Sequence, residues 1–377
     1  MELVELGTLL EMEKGKKPAI VSVEPKEGFL PYVDIDVFEK GIIKQYTEGS
    51  KCTPCEDGDI LIVCDGSRSG LVGKAVKGYV GSTLARISAP GLIRDYLYHF
   101  VQGKYALLNT RKKGTGTPHL NPELLKKQKL VVPDVAEQER IVARIEELFS
   151  QLDAGVETLK KTKAQLAVYR QAVLKEAFAV CKEYVAIESV TQHVTDGDHM
   201  PPPKADNGIP FIMISNIKGN AISWGNTAFV GRDYYDSIEP KRKPQKGDVL
   251  YTVTGSYGIP VLVDFNKEFC FQRHIALLRP NDAIEQKYLY YSLMEPSVYA
   301  QATKGATGTA QKTVGLGILR KIEIPFIENH SDQLRIVEAI ESRLSVCDSI
   351  EHTVDTALQQ AEAMRQSILK DAFEGKL

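Results

Sequence analysis

Two stretches of the chain place apolar residues at steps of three, four and seven. In the first, Ile145, Leu148, Leu152, Val156, Leu159, Leu166 and Val173 keep that spacing; in the second, Ile340, Leu344, Cys347, Ile350, Val354, Leu358, Ala361 and Ile368 do. This is the period of one face of an α-helix, and the stripe is narrow enough for a coiled-coil seam. A long helix cannot leave such a stripe in water, so the simplest burial for each helix is against the other. Both follow a short apolar run ending in proline, 130-LVVP-133 and 322-IEIP-325, and Asp134 and Ser331 stand near the two starts as candidate caps.

The two helices are copies. The stretch 138-QERIVARIEELFSQLD-153 returns as 333-QLRIVEAIESRLSVCD-348, and 169-YRQAVLKEAF-178 as 364-MRQSILKDAF-373, both at an offset of 195 residues. An ungapped match of this length marks an internal duplication. The regions before each helix have a different pattern: short apolar runs between Gly- and Pro-rich turns, such as 60-ILIVC-64, 249-VLYTVT-254, 259-IPVLVDF-265 and 274-HIALL-278, which predict short strands. These regions also correspond, more loosely. The segment 31-PYVDI-35 matches 210-PFIMI-214, 58-GDILIVCDGS-67 matches 247-GDVLYTVTGS-256, 96-YLY-98 matches 288-YLY-290, and 114-GTGTP-118 sits opposite 306-ATGTA-310.

The expected fold is therefore α+β. Two mixed, strand-rich domains, 1–136 and 184–332, are each followed by a long helical region, 137–183 and 333–377, and the helices form an antiparallel coiled coil with pseudo-twofold symmetry. That arrangement would put the last residues, 374-EGKL-377, beside the first domain. Alike helices suggest one job done twice, and divergent domains suggest two versions of one reading task.

Composition narrows the class. With 43% hydrophobic and 25% charged residues among 377, the chain is that of a globular protein, and no apolar run reaches the roughly 18 residues a membrane span needs. Acids interrupt the N-terminal MELVELGTLLEMEKGKK, which is unlike a secretory signal. Six cysteines do not make a disulfide framework, so a reducing cytoplasm is expected. The net charge of −2 hides a basic strip: residues 104–129 hold seven Lys/Arg against one acid, Glu123. Local charge, not the average, decides contact with phosphate.

Catalytic and metal motifs are not supported. In 65-DGSRSGLVGKA-75 the glycines Gly66 and Gly73 are too far apart for a phosphate loop, and Ala75 stands where a hydroxyl residue is needed. Cys52 and Cys55 lack a second pair to complete a zinc site, and His193 and His199 flank a turn composition, 195-TDGD-198. No Asn/Asp-Pro-Pro-aromatic motif for amino-group methylation is present.

The helix openings 137-EQERIVARIEELF-149 and 332-DQLRIVEAIESRL-344, with the ends 170-RQAVLKEAF-178 and 365-RQSILKDAFEGKL-377, resemble the helical regions of type I restriction-modification specificity subunits. The TGT followed by "IEIP" before the second helix, and 195-TDGDHMPPPKADNGIPFIMISNI-217, resemble that family too; the first domain has only 28-GFLPYVDIDV-37 at the equivalent place. The resemblance implies a non-catalytic subunit whose two domains each read half of a bipartite DNA site, with the helices setting the spacing. It implies two methyltransferase subunits and restriction-translocase subunits as partners, which would bring S-adenosylmethionine, ATP and Mg2+; no cofactor is expected on this chain. Arg140, Arg170, Gln171, Arg335, Arg365 and Gln366 on the repeated helices are the candidate partner contacts.

Base reading needs donors and acceptors on loops, and phosphate grip needs Lys, Arg or free N–H groups. Two pairs of corresponding loops supply them. The first is 65-DGSRSG-70 with 254-TGSYG-258, offering Ser67, Arg68, Ser69, Ser256 and Tyr257. The second is 111-RKKGTGTPHLN-121 with 304-KGATGTAQK-312, offering Arg111, Lys112, Lys113, Thr115, Thr117, His119 and Asn121, then Lys304, Thr307, Thr309, Gln311 and Lys312. Gln272 and Arg273 add to the second domain, while 241-KRK-243 reads as a surface turn. Gly/Thr loops with lysines are also common as plain solvated turns. Two rivals stay open: a coiled-coil scaffold joining two protein-binding modules without DNA, and an enzyme with an unrecognised site.

Overall fold

A computed structural model describes residues 3–111 and 118–377. Two long helices, the central helix Val135–Phe178 and the C-terminal helix His330–Phe373, account for much of the chain, and the strands lie before them. By contacts the chain divides into two units, Met1–Leu159 with Asp355–Leu377, and Lys160–Val354. Each unit thus holds one strand-rich domain, part of the central helix and part of the C-terminal helix.

In the first unit, strands Glu11–Lys14, Leu84–Ser88, Ile60–Val63 and Val72–Lys74 form an antiparallel sheet in that order. In the second unit, Thr191–Asp196, Ile275–Pro280, Val249–Thr252 and Pro260–Leu262 form the same sheet in the same order. A smaller sheet is repeated as well. Leu30–Val33 runs parallel to Gly78–Val80 in the first unit, as Ile209–Ile212 runs parallel to Cys270–Phe271 in the second. A two-stranded ribbon closes each domain: Leu3–Glu5 with Lys129–Val131, and Glu183–Ala186 with Glu323–Phe326.

The central strands read as unbroken apolar runs because both of their faces are covered. Successive side chains of a strand point to opposite faces. Accordingly Ile60 and Ile62 join the cluster that includes the helices, while Leu61 and Val63 join a second cluster with Val33 and Leu84. In the other unit Val249 and Tyr251 face the helices and Leu250 faces Phe269 and Phe271.

The long helices pack antiparallel within each unit. In the first, Arg365 is paired with Asp153 and lies 4.3 Å above the Phe149 ring, while Arg140 donates to the Leu377 carbonyl at 3.3 Å. In the second, Arg170 reaches Asp348 at 2.6 Å and Glu351 at 3.0 Å, and Arg343 reaches Glu176 at 2.8 Å. Arg170–Asp348 and Arg365–Asp153 are the same ion pair at the repeat offset, made once in each unit. The seam is buried at Ile145, Leu166, Val173, Ile340, Leu344, Cys347, Val354 and Ala361. Ile350 departs from it: it is 40% exposed, on the outer side of the stripe.

One clamp ties each helix start to its domain. The Gln138 side chain accepts from the Ile93 N–H (2.8 Å) and donates to the carbonyls of Gly91 (2.8 Å) and Pro133 (2.9 Å). Gln333, its copy, accepts from the Glu285 N–H (2.7 Å) and donates to Ala283 (3.0 Å) and Ile327 (2.7 Å). Both glutamines are fully buried. Ile93 and Glu285 precede the helices Arg94–Gln102 and Gln286–Ser292, which carry the repeated YLY. The helix ends close on the same tyrosines: Phe373 meets Tyr96 edge-on at 5.0 Å, and Phe178 meets Tyr288 at 5.4 Å. At the helix starts, Asp134 accepts from the Glu137 N–H as a cap should, but in the second copy Asn329, not Ser331, is the cap, accepting from the N–H groups of Ser331 and Asp332. Asn329 precedes the first helical residue, His330, whereas Ser331 already lies inside the helix.

Candidate DNA interface

Each domain brings its two predicted loops together through the same backbone contacts. In the first, Asp65 bridges to His119, the Gly66 N–H donates to the Pro118 carbonyl at 2.8 Å, and the Leu120 N–H donates to Cys64 at 2.7 Å. In the second, Thr254 bridges to Thr313, the Gly255 N–H donates to Lys312 at 2.9 Å, and the Val314 N–H donates to Val253 at 2.8 Å. Gly66 and Gly255 both have positive φ, 106° and 73°, a region that L side chains avoid. At Gly255 an added Cβ would also stand 3.1 Å from the Gln311 amide nitrogen.

The first loop pair is stapled by charge and by hydroxyl. Asp65 accepts from Lys14 (2.9 Å) and His119 (2.7 Å). Burial by itself would raise the Asp65 pKa, but the hydrogen bonds from His119 and Lys14 outweigh it and hold the carboxyl below its ordinary range. Ser69, expected as a contact, is fully buried, and its hydroxyl is directed to the carbonyls of Gly66 (2.7 Å) and Pro118 (3.3 Å), so it shapes the loop from inside. Asn109 donates to the carbonyls of Ser67 and Ser69, binding the end of helix Tyr105–Thr110 to the loop. Ser67 and Arg68 are exposed, and Arg68 is paired with Glu39. Arg111 is exposed just past that helix; Asn121 is half-buried with its Oδ1 enclosed and unpartnered among the described residues. Lys112, Lys113, Thr115 and Thr117 lie outside the described residues.

In the second domain Ser256, Arg273, Lys304, Thr307, Thr309, Gln311 and Lys312 are exposed. Tyr257 is half-buried, stacked on Tyr299 at 5.7 Å, with its hydroxyl 3.2 Å from that of Thr303; Gln272 is half-buried. A cleft of about 330 Å³ gathers Arg273, Gln311, Thr313, His199 and His274. Sequence reasoning missed His199 and Asp196 as cleft walls; they are hydrogen-bonded to each other at 2.7 Å. It also read 241-KRK-243 as a plain turn. Arg242 instead clasps the loop behind the cleft, donating to the carbonyls of Asp196 (3.0 Å) and Gly197 (2.5 Å) and pairing with Asp198 at 3.2 Å.

The arginines separate structure from surface. In the first domain Arg68, Arg86 and Arg94 have acid partners. In the second, Arg232, Arg242 and Arg279 have acid partners and Arg320 donates to the Val194 carbonyl. Among the described residues this leaves one unpaired arginine per domain, Arg111 and Arg273, and both belong to the loop clusters. Of the helical arginines expected to meet partners, Arg170 and Arg365 are engaged between the helices, while Arg140 and Arg335 hold Glu137 and Asp332 on the exposed surface. Gln171 is exposed and Gln366 half-buried. The tempting segment 65–75 runs into strand Val72–Lys74, where Lys74 pairs with Asp95 at 2.5 Å. No group of three or more metal-ligating side chains occurs among the described residues.

Comparison with known proteins gives one answer across the chain. The family profile described as "Type I restriction modification DNA specificity domain" matches residues 1–167 and again 196–360. The specificity subunit of type I restriction enzyme MjaVIII from Methanocaldococcus jannaschii is 24% identical over 400 residues, covering 100% of this chain and 92% of that one. The EcoKI specificity subunit from Escherichia coli K12 is 22% identical, with 96% and 82% covered. Among solved structures, a chain described under complex assembly and conformational transition of the type I R-M system superposes with a TM-score of 0.75 at 19% identity, covering 100% of this chain and 98% of that one. The HsdS subunit from Thermoanaerobacter tengcongensis gives 0.52 at 19% identity, covering 100% and 97%. Two matches to one domain profile, in a chain whose sheets, glutamine clamps and helices are all made twice, place the protein in the type I restriction-modification DNA specificity family, as a specificity subunit, the non-catalytic member of such a complex.

Proposed function

We propose that each domain reads one half of a bipartite DNA site through its loop cluster, and that the paired helices set the number of unread base pairs between the halves. The observation that carries this reading is the pair of equivalent loop clusters, each holding the one arginine of its domain that is unpaired among the described residues. A structural arginine is matched with an acid or a carbonyl; one left exposed and unpaired at such a cluster is available to DNA. On the same reading Ser67, Arg111, Lys112, Lys113, Thr115, Thr117, His119 and Asn121 serve the first half-site. Ser256, Tyr257, Gln272, Arg273, Lys304, Thr307, Thr309, Gln311 and Lys312 serve the second. Arg68 would first have to leave Glu39.

The partners are two methyltransferase subunits and restriction-translocase subunits, held through the repeated helix surfaces at Arg140, Gln171, Arg335 and Gln366. S-adenosylmethionine, ATP and Mg2+ belong to those partners. The proposed compartment is the cytoplasm; no described helix is long and apolar enough to cross a membrane. Exchange of residues 184–332 for the corresponding domain of a relative tests the division of labour. A methylome of cells carrying the hybrid should show one half-site changed and the other kept; a change in both would refute the assignment of one domain to one half.

A further inference from the structure

The second domain's cleft is built differently from a general phosphate grip. Its one carboxylate, Asp196, already accepts from His199. Its two threonines, Thr313 and Thr254, are hydrogen-bonded to each other at 3.3 Å. Among the described residues, the side chains left lining the space without a partner are Arg273, its neighbour His274 and, on the opposite loop, Gln311. The lysines that suit phosphate, Lys304 and Lys312, do not line the cleft.

The backbone under Arg273 is fixed on several sides. Its N–H donates to the Asp198 carbonyl at 3.1 Å, and the neighbouring Gln272 N–H donates to Ile212 at 3.1 Å. Asp198 is in turn held by Arg242 and by the Tyr234 hydroxyl. Arg242 also fastens the carbonyls of Asp196 and Gly197. A long side chain on so constrained a base loses less freedom on binding than one on a free loop.

A planar fork of donors with no acceptor of its own matches one base edge best. Guanine presents O6 and N7 side by side in the major groove, both acceptors, and adenine, thymine and cytosine do not. We infer that the half-site read by the second domain contains a guanine, and that Arg273 selects it by a bidentate contact from within this cleft. The inference rests on the reading of the loop clusters as DNA-binding and deepens it for one residue.

The test uses the full chain assembled with its methyltransferase subunit. Sites are selected from a randomised duplex pool, and binding to duplexes with single base changes is then measured across a salt series. The wild type should select a guanine at one position of the half-site that follows residues 184–332 in the domain exchange. Arg273→Ala should lose discrimination at that position by roughly 10- to 100-fold and leave the other half-site unchanged. Arg273→Lys keeps the charge but not the fork, so it should keep the salt slope and still lose the discrimination. The side chain is exposed and unpaired, so neither variant disturbs folding. Uniform weakening of every duplex by Arg273→Ala, with the salt slope reduced by about one, would make Arg273 a phosphate contact and overturn the inference. So would unchanged selection, or a half-site with no guanine. A wild-type complex that selects no bipartite sequence at all would instead refute the broader reading.

Discussion

Replacing Gln138 with Ala removes the clamp that joins the start of the central helix to the first domain. The side chain serves three backbone groups: the Ile93 N–H and the carbonyls of Gly91 and Pro133. Gly91 is exposed, so water can replace the glutamine there. The Pro133 carbonyl is buried and the Ile93 N–H half-buried, and leaving each unpaired costs about 2 kcal/mol. Loss of the buried methylene adds about 0.8 kcal/mol. Against this, the ordered glutamine had given up about 2 kcal/mol of rotamer freedom, which alanine does not. The net loss is about 3 kcal/mol. For a unit of this size that corresponds to a melting temperature lower by roughly 6–12 °C. The assay is thermal unfolding followed by circular dichroism, with hydrogen exchange to show that the opening starts in the first unit. Gln333→Ala should cost about the same in the second unit, because its three partners are equivalent. Gln171→Ala, at an exposed helix position, is the control and should leave the transition in place. A shift under about 2 °C for both buried variants would show that the clamps follow the packing and do not enforce it.

Two further outcomes follow from the first loop pair. Arg111→Ala should weaken all duplexes about equally and lower the salt slope by roughly one unit; an effect confined to one base position would make Arg111 a sequence reader, and no effect would return it to the solvated surface. The folded pKa of Asp65 lies below its unfolded value, so its contribution to stability is complete above the unfolded pKa and is lost as pH falls through the lowered one. Asp65→Asn should therefore be less stable than wild type in urea at pH 6, and the gap should close toward pH 3; a gap independent of pH would mean that the pairing with His119 and Lys14 contributes nothing.

The sequence by itself determined the duplication, the two helices, most of their seam and the short strands before them, because these follow from period and local chemistry. Ile60–Val63 and Val249–Thr252 were legible as strands from apolar runs between turns, and Asp134 as a cap from its place before a periodic stretch. Which loops meet was legible only as a correspondence between copies. What the tertiary structure alone decided is how each polar side chain is used. Ser69 and Arg111 look equally available in a loop, yet one is sealed against carbonyls and the other is unpaired. Arg170 and Arg365 stand beside glutamines in a repeated motif, and only antiparallel packing turns them toward Asp348 and Asp153. Gln138 and Gln333 carry no sequence signal of burial, since a glutamine on a helix is most often solvated. Their three backbone partners come from segments about 45 residues away as well as from the adjoining turn. Period and composition act along the chain, whereas the hydrogen-bond partners of single polar residues are set by what folding brings from elsewhere.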